Sequence, residues 1–251
     1  MKTKLILAAT LSFCISFSTL AQDPTQKILQ GIMGGKNKKA EALPETYAFS
    51  WEFKTNIEIE GKKKKSDGTY KMNYLINEND DYYAIEYENE ELKKSGGSSV
   101  MVMDFNNEAM VIFSQYGDQN MAMLQKLKDP KTKKIKDKDR NYTYTEIGTK
   151  TILGYECYGI VLENKKMKAT LYFTLDAPVN FSAFFAFSSE AAPAGFSDPE
   201  LFDVLKDEAL LMELDMTDKK KNQSMKMIPI SLEQKKTEFH KKDYQFMKMG
   251  F

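Results

Sequence analysis

Between residues 49 and 60 the side chains alternate in character. Phe49, Trp51, Phe53, Ile57 and Ile59 fall on one side, and Ser50, Glu52, Lys54, Asn56, Glu58 and Glu60 on the other. A period of two belongs to an extended strand with one buried and one wet face. Strands are expected at 70–76, 82–87, 100–105 and 109–114, joined by polar turns, and again at 142–147, 155–163, 168–174, 210–217 and 225–233. Strands linked this way form an antiparallel meander, and residues 244–251 read as a last edge.

Three segments break the period. Asp23-Pro24 opens a short amphipathic helix with Ile28, Leu29, Ile32 and Met33 on one face, and Gly34-Gly35 ends it. Residues 118–127 read as a second short helix with Met121, Leu124 and Leu127 inward. Ser197-Asp198-Pro199-Glu200 is a capping box, so a third helix is expected over 201–207, displaying Leu201, Phe202 and Leu205. Ahead of it, residues 178–196 carry Phe181, Phe184, Phe185, Phe187 and Phe196 among small residues. Such an apolar loop feeding a helix is either a lid or core packed beneath the sheet.

The first 21 residues have the layout of an export leader: Lys2 and Lys4, an apolar run from Leu5 to Phe17, and Thr19-Leu20-Ala21 as the exit, with cleavage expected after Ala21. The expectation is a signal peptide over 1–21, one domain over 22–251, and a periplasmic or secreted product with no transmembrane span. Cys14 leaves with the leader, so Cys157 stays alone and the core must hold the fold without a disulfide. The 36 basic and 36 acidic side chains balance, which excludes a nucleic-acid binder on net charge.

Catalytic chemistry is poorly supplied. His240 is the single histidine and stands next to Lys241 near the C-terminus, and no Gly-x-Ser-x-Gly elbow or phosphate loop occurs. The expectation is a protein that is not an enzyme and carries no cofactor. Methionine is frequent, with Met-x-Met at 101/103, 121/123, 225/227 and 247/249. On a strand such pairs share a face, which suits a copper(I) site or, more simply, a deformable core or cavity wall. The alternation running back from Phe251 reaches Met249 and Met247 and then fails at Gln245 and Asp243, against an outer-membrane barrel.

The segment Gly148-Thr-Lys-Thr-Ile-Leu-Gly-Tyr-Glu-Cys157 resembles the Gly-x-Lys-x-Ile-x-Gly-Tyr-x-Cys motif of a family of secreted bacterial proteins, domain of unknown function 4412. The Met101 to Met110 hairpin resembles that family's preceding element. The resemblance implies a fold like the LolA and LppX type of periplasmic lipoprotein carriers. That is a mostly β (α+β) protein: a curved antiparallel sheet forming an incomplete barrel, with an N-terminal and a later helix over its concave face. The implied function is non-catalytic binding of an acyl chain, lipid or lipidated partner in the half-barrel. On the pattern of the residues themselves, Trp51, Phe53, Met72, Met101, Met103, Phe181, Phe184, Phe185, Phe187 and Phe202 would line the cavity or its lid; the phenylalanine-rich segment 178–196 has no counterpart in the family. The competing reading is an envelope structural or interaction protein with a fully packed core and no ligand.

Overall fold

In the computed structural model, residues 42–61, 68–78, 82–87, 94, 96–127, 143–180 and 209–247 are described. The strands are β1 (Thr46–Glu60), β2 (Gly68–Ile76), β3 (Tyr82–Tyr87), β4 (Gly97–Asp104), β5 (Ala109–Tyr116) and β6 (Gln119–Lys126) in the first half. The second half holds β7 (Thr143–Ile152), β8 (Tyr155–Glu163), β9 (Met167–Thr174), β10 (Leu210–Asp218), β11 (Gln223–His240) and β12 (Gln245–Met247). All join one open sheet in the order β12-β6-β5-β4-β3-β2-β1-β11-β10-β9-β8-β7. Every neighbouring pair is antiparallel except β12 with β6. The meander expected from the alternation is therefore present, and the sheet is mostly β, curved and unclosed.

The curvature follows from chain length. In a flat sheet β11 and β12 would stand seven strand spacings apart, about 34 Å. Only the 3-10 turn Lys241–Asp243 and Tyr244 lie between His240 and Gln245, and five steps of chain reach at most about 17 Å. The sheet must curl until the tip of β11 meets the free side of β6. Aromatic rings fill the closure. Phe113 of β5 stacks on Phe239 of β11 at 5.3 Å, and Tyr244 approaches the same ring at 4.7 Å. Tyr47 of β1 lies 6.0 Å from Phe113 although three strands intervene in the sheet order.

Two departures from the sequence reading have clear causes. Phe49 does not share a side with Trp51 and Phe53: it packs with Tyr82 and Phe239 in the cluster around Val102, Val111 and Leu124. The register of β1 on β11 shifts between Phe49 and Trp51, and pairing of β1 with β2 begins only at Trp51. Beyond that point side chains replace the missing strand. Asn77 accepts from the backbone N–H and hydroxyl of Ser50 and donates to the Ala48 carbonyl, which also receives the Tyr82 hydroxyl. The second departure is the helix expected over 118–127, which is strand β6. Gly117 takes φ +56° in the two-residue connection from Tyr116 to Gln119, so the chain reverses and pairs back on β5. The helices expected over 23–35 and 201–207 lie outside the described residues, as do residues 1–21. Among the described residues no helix covers the sheet, and none is long and apolar enough to cross a membrane, a statement that leaves strands aside.

Where β1, β2 and β11 meet, Glu52 is buried at 2 % exposure and accepts hydrogen bonds from Asn73 (2.8 Å) and Lys235 (2.7 Å), with Lys54 at 2.9 Å. Burial pushes its carboxyl up, but the bonds from Lys235, Lys54 and Asn73 together outweigh burial and bring it down to about 2. A carboxyl held below its ordinary value near 4.5 stabilises the fold fully above that pH, and the contribution is lost as the pH falls towards 2. Glu52→Gln should therefore lower stability at pH 7 by about 1–3 kcal/mol in urea unfolding. It should also flatten the decline of wild-type stability between pH 5 and pH 2. An unchanged slope would remove Glu52 from the acid response.

Candidate functional site

Strand pairing sets the candidate surface. Reading straight across six strands, the register joins Phe53, Tyr74, Ile85, Met101, Ile112 and Met123 in one row. Side chains two residues away along a strand share that face, which adds Trp51, Met72, Tyr83, Met103 and Met110. All eleven belong to one hydrophobic cluster. Phe53, Met103 and Met110 are at or below 1 % exposure, whereas Trp51, Met72, Met101 and Met123 are partly buried at its margin.

The five lining candidates within the described residues, Trp51, Phe53, Met72, Met101 and Met103, are thus brought together. Phe181, Phe184, Phe185, Phe187 and Phe202 lie outside the described residues. Tyr74, Tyr83, Ile85, Met110, Ile112 and Met123 were missed by sequence reasoning. The hairpin could have supplied two of them, since Asp104 opposite Ala109 sets Met103 against Met110 and Met101 against Ile112.

The polar groups on this face are few. Burial pushes the Tyr74 hydroxyl up in pKa, against a hydrogen bond with Thr55 that lowers it, and burial likewise raises Tyr83, reinforced by Tyr74. Both phenols stay neutral. The indole Nε1 of Trp51 is buried and, among the described residues, has no hydrogen-bond partner. The Met-x-Met pairs divide between clusters: Met101 and Met103 pack here with Met123, while Met225 and Met227 pack with Ile160, Leu171 and Leu214. Met249 lies outside the described residues. Among the described residues no group of three or more His, Cys, Asp or Glu side chains could hold a metal ion.

The sequence motif has its own geometry. Leu153 and Gly154, at φ 52° and 89°, form the two-residue turn between Ile152 and Tyr155, a conformation with both central residues left-handed that joins twisted strands closely. The register then sets Lys150 opposite Cys157 and Gly148 opposite Gly159, so Gly148, Lys150, Ile152, Tyr155 and Cys157 share one face. Next to Gly159 comes Tyr172, and next to Tyr172 comes Glu213. Lys150 Nζ lies 3.8 Å above the Tyr172 ring and 2.8 Å from Glu213 Oε1. Sequence reasoning missed Tyr172 and Glu213, which only the four-strand register brings to the motif.

Ile152, Tyr155, Cys157 and Tyr172 pack into the same cluster as the methionine face. Cys157 is fully buried and reduced, and its thiol donates to the Tyr155 carbonyl at 3.5 Å. Burial pushes its pKa up, against the Ile152 backbone and Lys150, so it stays a protonated packing group. His240 pairs with Thr46 at 3.0 Å at the tip of β11, away from this cluster.

The family described as Domain of unknown function (DUF4412) matches residues 30–246. No curated protein matches the chain. Among solved structures the chain is similar to PNGF-II at 12% identity and TM-score 0.37, covering 79% of this chain and 30% of that one. It therefore spans under a third of the length of PNGF-II. It is also similar to the Mycobacterium tuberculosis lipoprotein LppX, at 9% identity and TM-score 0.28 over 71% of this chain and 84% of that one. A DUF1329 family protein from Desulfovibrio piger gives 6% identity and TM-score 0.21 over 86% and 92%. At these TM-scores the functional reading rests on the chain's own residues.

Two measurements test the motif face. A Cβ at Gly159 would meet Tyr172 Cε1 at 2.6 Å, Ile147 Cγ1 at 2.7 Å and the Gly148 carbonyl oxygen at 3.0 Å. Gly159→Ala should displace Tyr172 from beneath Lys150 and cost about 1–3 kcal/mol in urea unfolding; wild-type stability would show that the ring has room. A bulky maleimide should label Cys157 only as the protein unfolds, and rapid labelling of the native chain would contradict its burial.

Proposed function

Because the chain belongs to the DUF4412 family, whose description assigns no activity, we propose from its own geometry that it is a non-catalytic secreted or periplasmic binding protein for an apolar ligand. The ligand is an acyl chain, a lipid or a lipidated partner, held on the curled sheet. The observation that carries this reading is the six-strand row from Phe53 to Met123, flanked by partly buried Trp51, Met72, Met101 and Met123. Methionine side chains are unbranched and polarizable, so they repack around a flexible chain at low cost. A curved sheet offers such side chains a concave wall. On sequence alone, Phe181, Phe184, Phe185, Phe187 and Phe202 are assigned to the same apolar lining.

A second reading, an envelope interaction protein without a ligand, is favoured by the depth of packing at Phe53, Met103 and Met110. The two separate experimentally. Gentle purification followed by native mass spectrometry or lipid extraction should find a bound amphiphile, and the stripped protein should take up a fluorescent fatty acid. Met101→Lys with Met123→Lys, both at the partly buried margin, should reduce that uptake at least tenfold while the circular dichroism of the sheet is retained. Absence of any co-purified amphiphile together with no probe uptake would leave the packed-core reading.

A further inference from the structure

Trp51 is the single tryptophan of the chain. It stands on β1 opposite Ile76 of β2 and Gln234 of β11, at the register shift where β1 turns away from β2. Its ring packs against the methionine cluster, yet among the described residues its buried Nε1–H has no partner. A buried donor left unpaired loses its water without replacement, so native structures rarely keep one. Phenylalanine would cover much of the same apolar surface and carry no donor. An indole here is explained if something that arrives later supplies the acceptor.

We propose that the Trp51 indole N–H donates a hydrogen bond to a neutral carbonyl oxygen of the bound ligand, so that the ligand is an acyl ester rather than a bare hydrocarbon or an ionised fatty acid. This rests on the apolar-ligand function proposed above and names the class of ligand. The neutrality of the acceptor follows from its surroundings. Lys150, which lies over the Tyr172 ring at the edge of the cluster, is already matched by Glu213 at 2.8 Å. Among the described residues, a carboxylate brought beside Trp51 would be desolvated among Ile76, Tyr83, Met103 and Phe53 with a neutral donor to hold it. An ester carbonyl needs a single donor and carries no charge. Its acyl tail can then run along the partly buried Met72, Met101 and Met123.

The single indole gives a direct readout. In the full-length ¹⁵N-labelled protein, stripped of lipid, one indole N–H resonance is followed during titration with 1-oleoyl glycerol and with its ether analogue, 1-O-oleyl glycerol. The two probes differ in the carbonyl alone. Both should displace a fluorescent fatty acid, but the ester should move the indole proton downfield while the ether leaves it near its free position. Trp51→Phe should weaken the ester about three- to tenfold more than the ether, the worth of one hydrogen bond. Equal indole responses to the two probes, or equal weakening of both by Trp51→Phe, would overturn the hydrogen bond and leave Trp51 as apolar wall, with the binding function intact. Failure of both probes to bind would overturn the binding function, and this proposal with it. The resonance is measured on the wild-type chain, so the test stands even if Trp51→Phe does not fold.

Discussion

The ladder between β1 and β11 holds the molecule together. These are the longest strands, 15 and 18 residues, and they lie side by side between the two halves of the sheet. Their pairing runs from Thr46 opposite His240 to Glu60 opposite Ser224, interrupted by register shifts at Phe49/Trp51 and Lys54/Thr55. Each shift adds local twist and bends the pair. A straight ladder of this length would project beyond its neighbours with unpaired backbone on either side. Bent at Ser50, it carries Tyr47, Phe49 and Phe239 over Phe113 and delivers β12 to the edge of β6. The curl, the first-half core and the closure at β12 all depend on that bend.

The bend also explains why the alternation from 49 to 60 was only partly informative. Period two is a local property and was read correctly on either side of Ser50. The reversal of facing between Phe49 and Trp51 coincides with the register shift of the β1–β11 ladder at Ser50, and that partner strand lies almost 200 positions away. The signs of it in sequence are Asn77 and Tyr82, polar groups just past the end of β2 and at the start of β3, which turn out to satisfy the exposed backbone of residues 48 and 50. Residues 119–126 failed for a different reason. Met, Leu, Gln and Lys are good helix formers, and both faces of β6 are covered: Ala122 and Leu124 pack with Val111, and Met123 with the other cluster. Burial on both sides erases the polar half of the alternation. The Gly117-Asp118 pair was the signal that this segment is the return limb of a hairpin.

The candidate site was legible in proportion to how local its parts are. Trp51, Phe53 and Met72 could be grouped because each alternates with polar neighbours on its own strand, and Met101 with Met103 because they stand two apart on theirs. Their assembly into a row with Ile85, Ile112 and Met123 required inter-strand register, fixed by hairpin turns for β4 to β6 but by longer connections for β2 to β3. The motif shows the same division. Its glycines and spacing are explained by the Leu153-Gly154 turn and by Gly148 at φ +82°. What Lys150 does was hidden, because Tyr172 and Glu213 reach it across two further strands.

The two halves of this face differ in what they tolerate. At the motif, Lys150 is clamped between a carboxylate and a ring, and Tyr172 leaves no room for a Cβ on Gly159. That packing is specific and resists change of shape. Across β1 to β6 the same cluster sets five methionines among Trp51, Phe53, three isoleucines and two phenols, and the methionines adapt by rotation about single bonds rather than by backbone movement. A rigid hairpin at one end and a deformable wall at the other suit a surface that must hold its curvature while its contents vary. The bend at Ser50 sets the orientation of Trp51 relative to that wall, so its indole N–H, unpaired among the described residues, stands where the rigid ladder and the adaptable methionines meet.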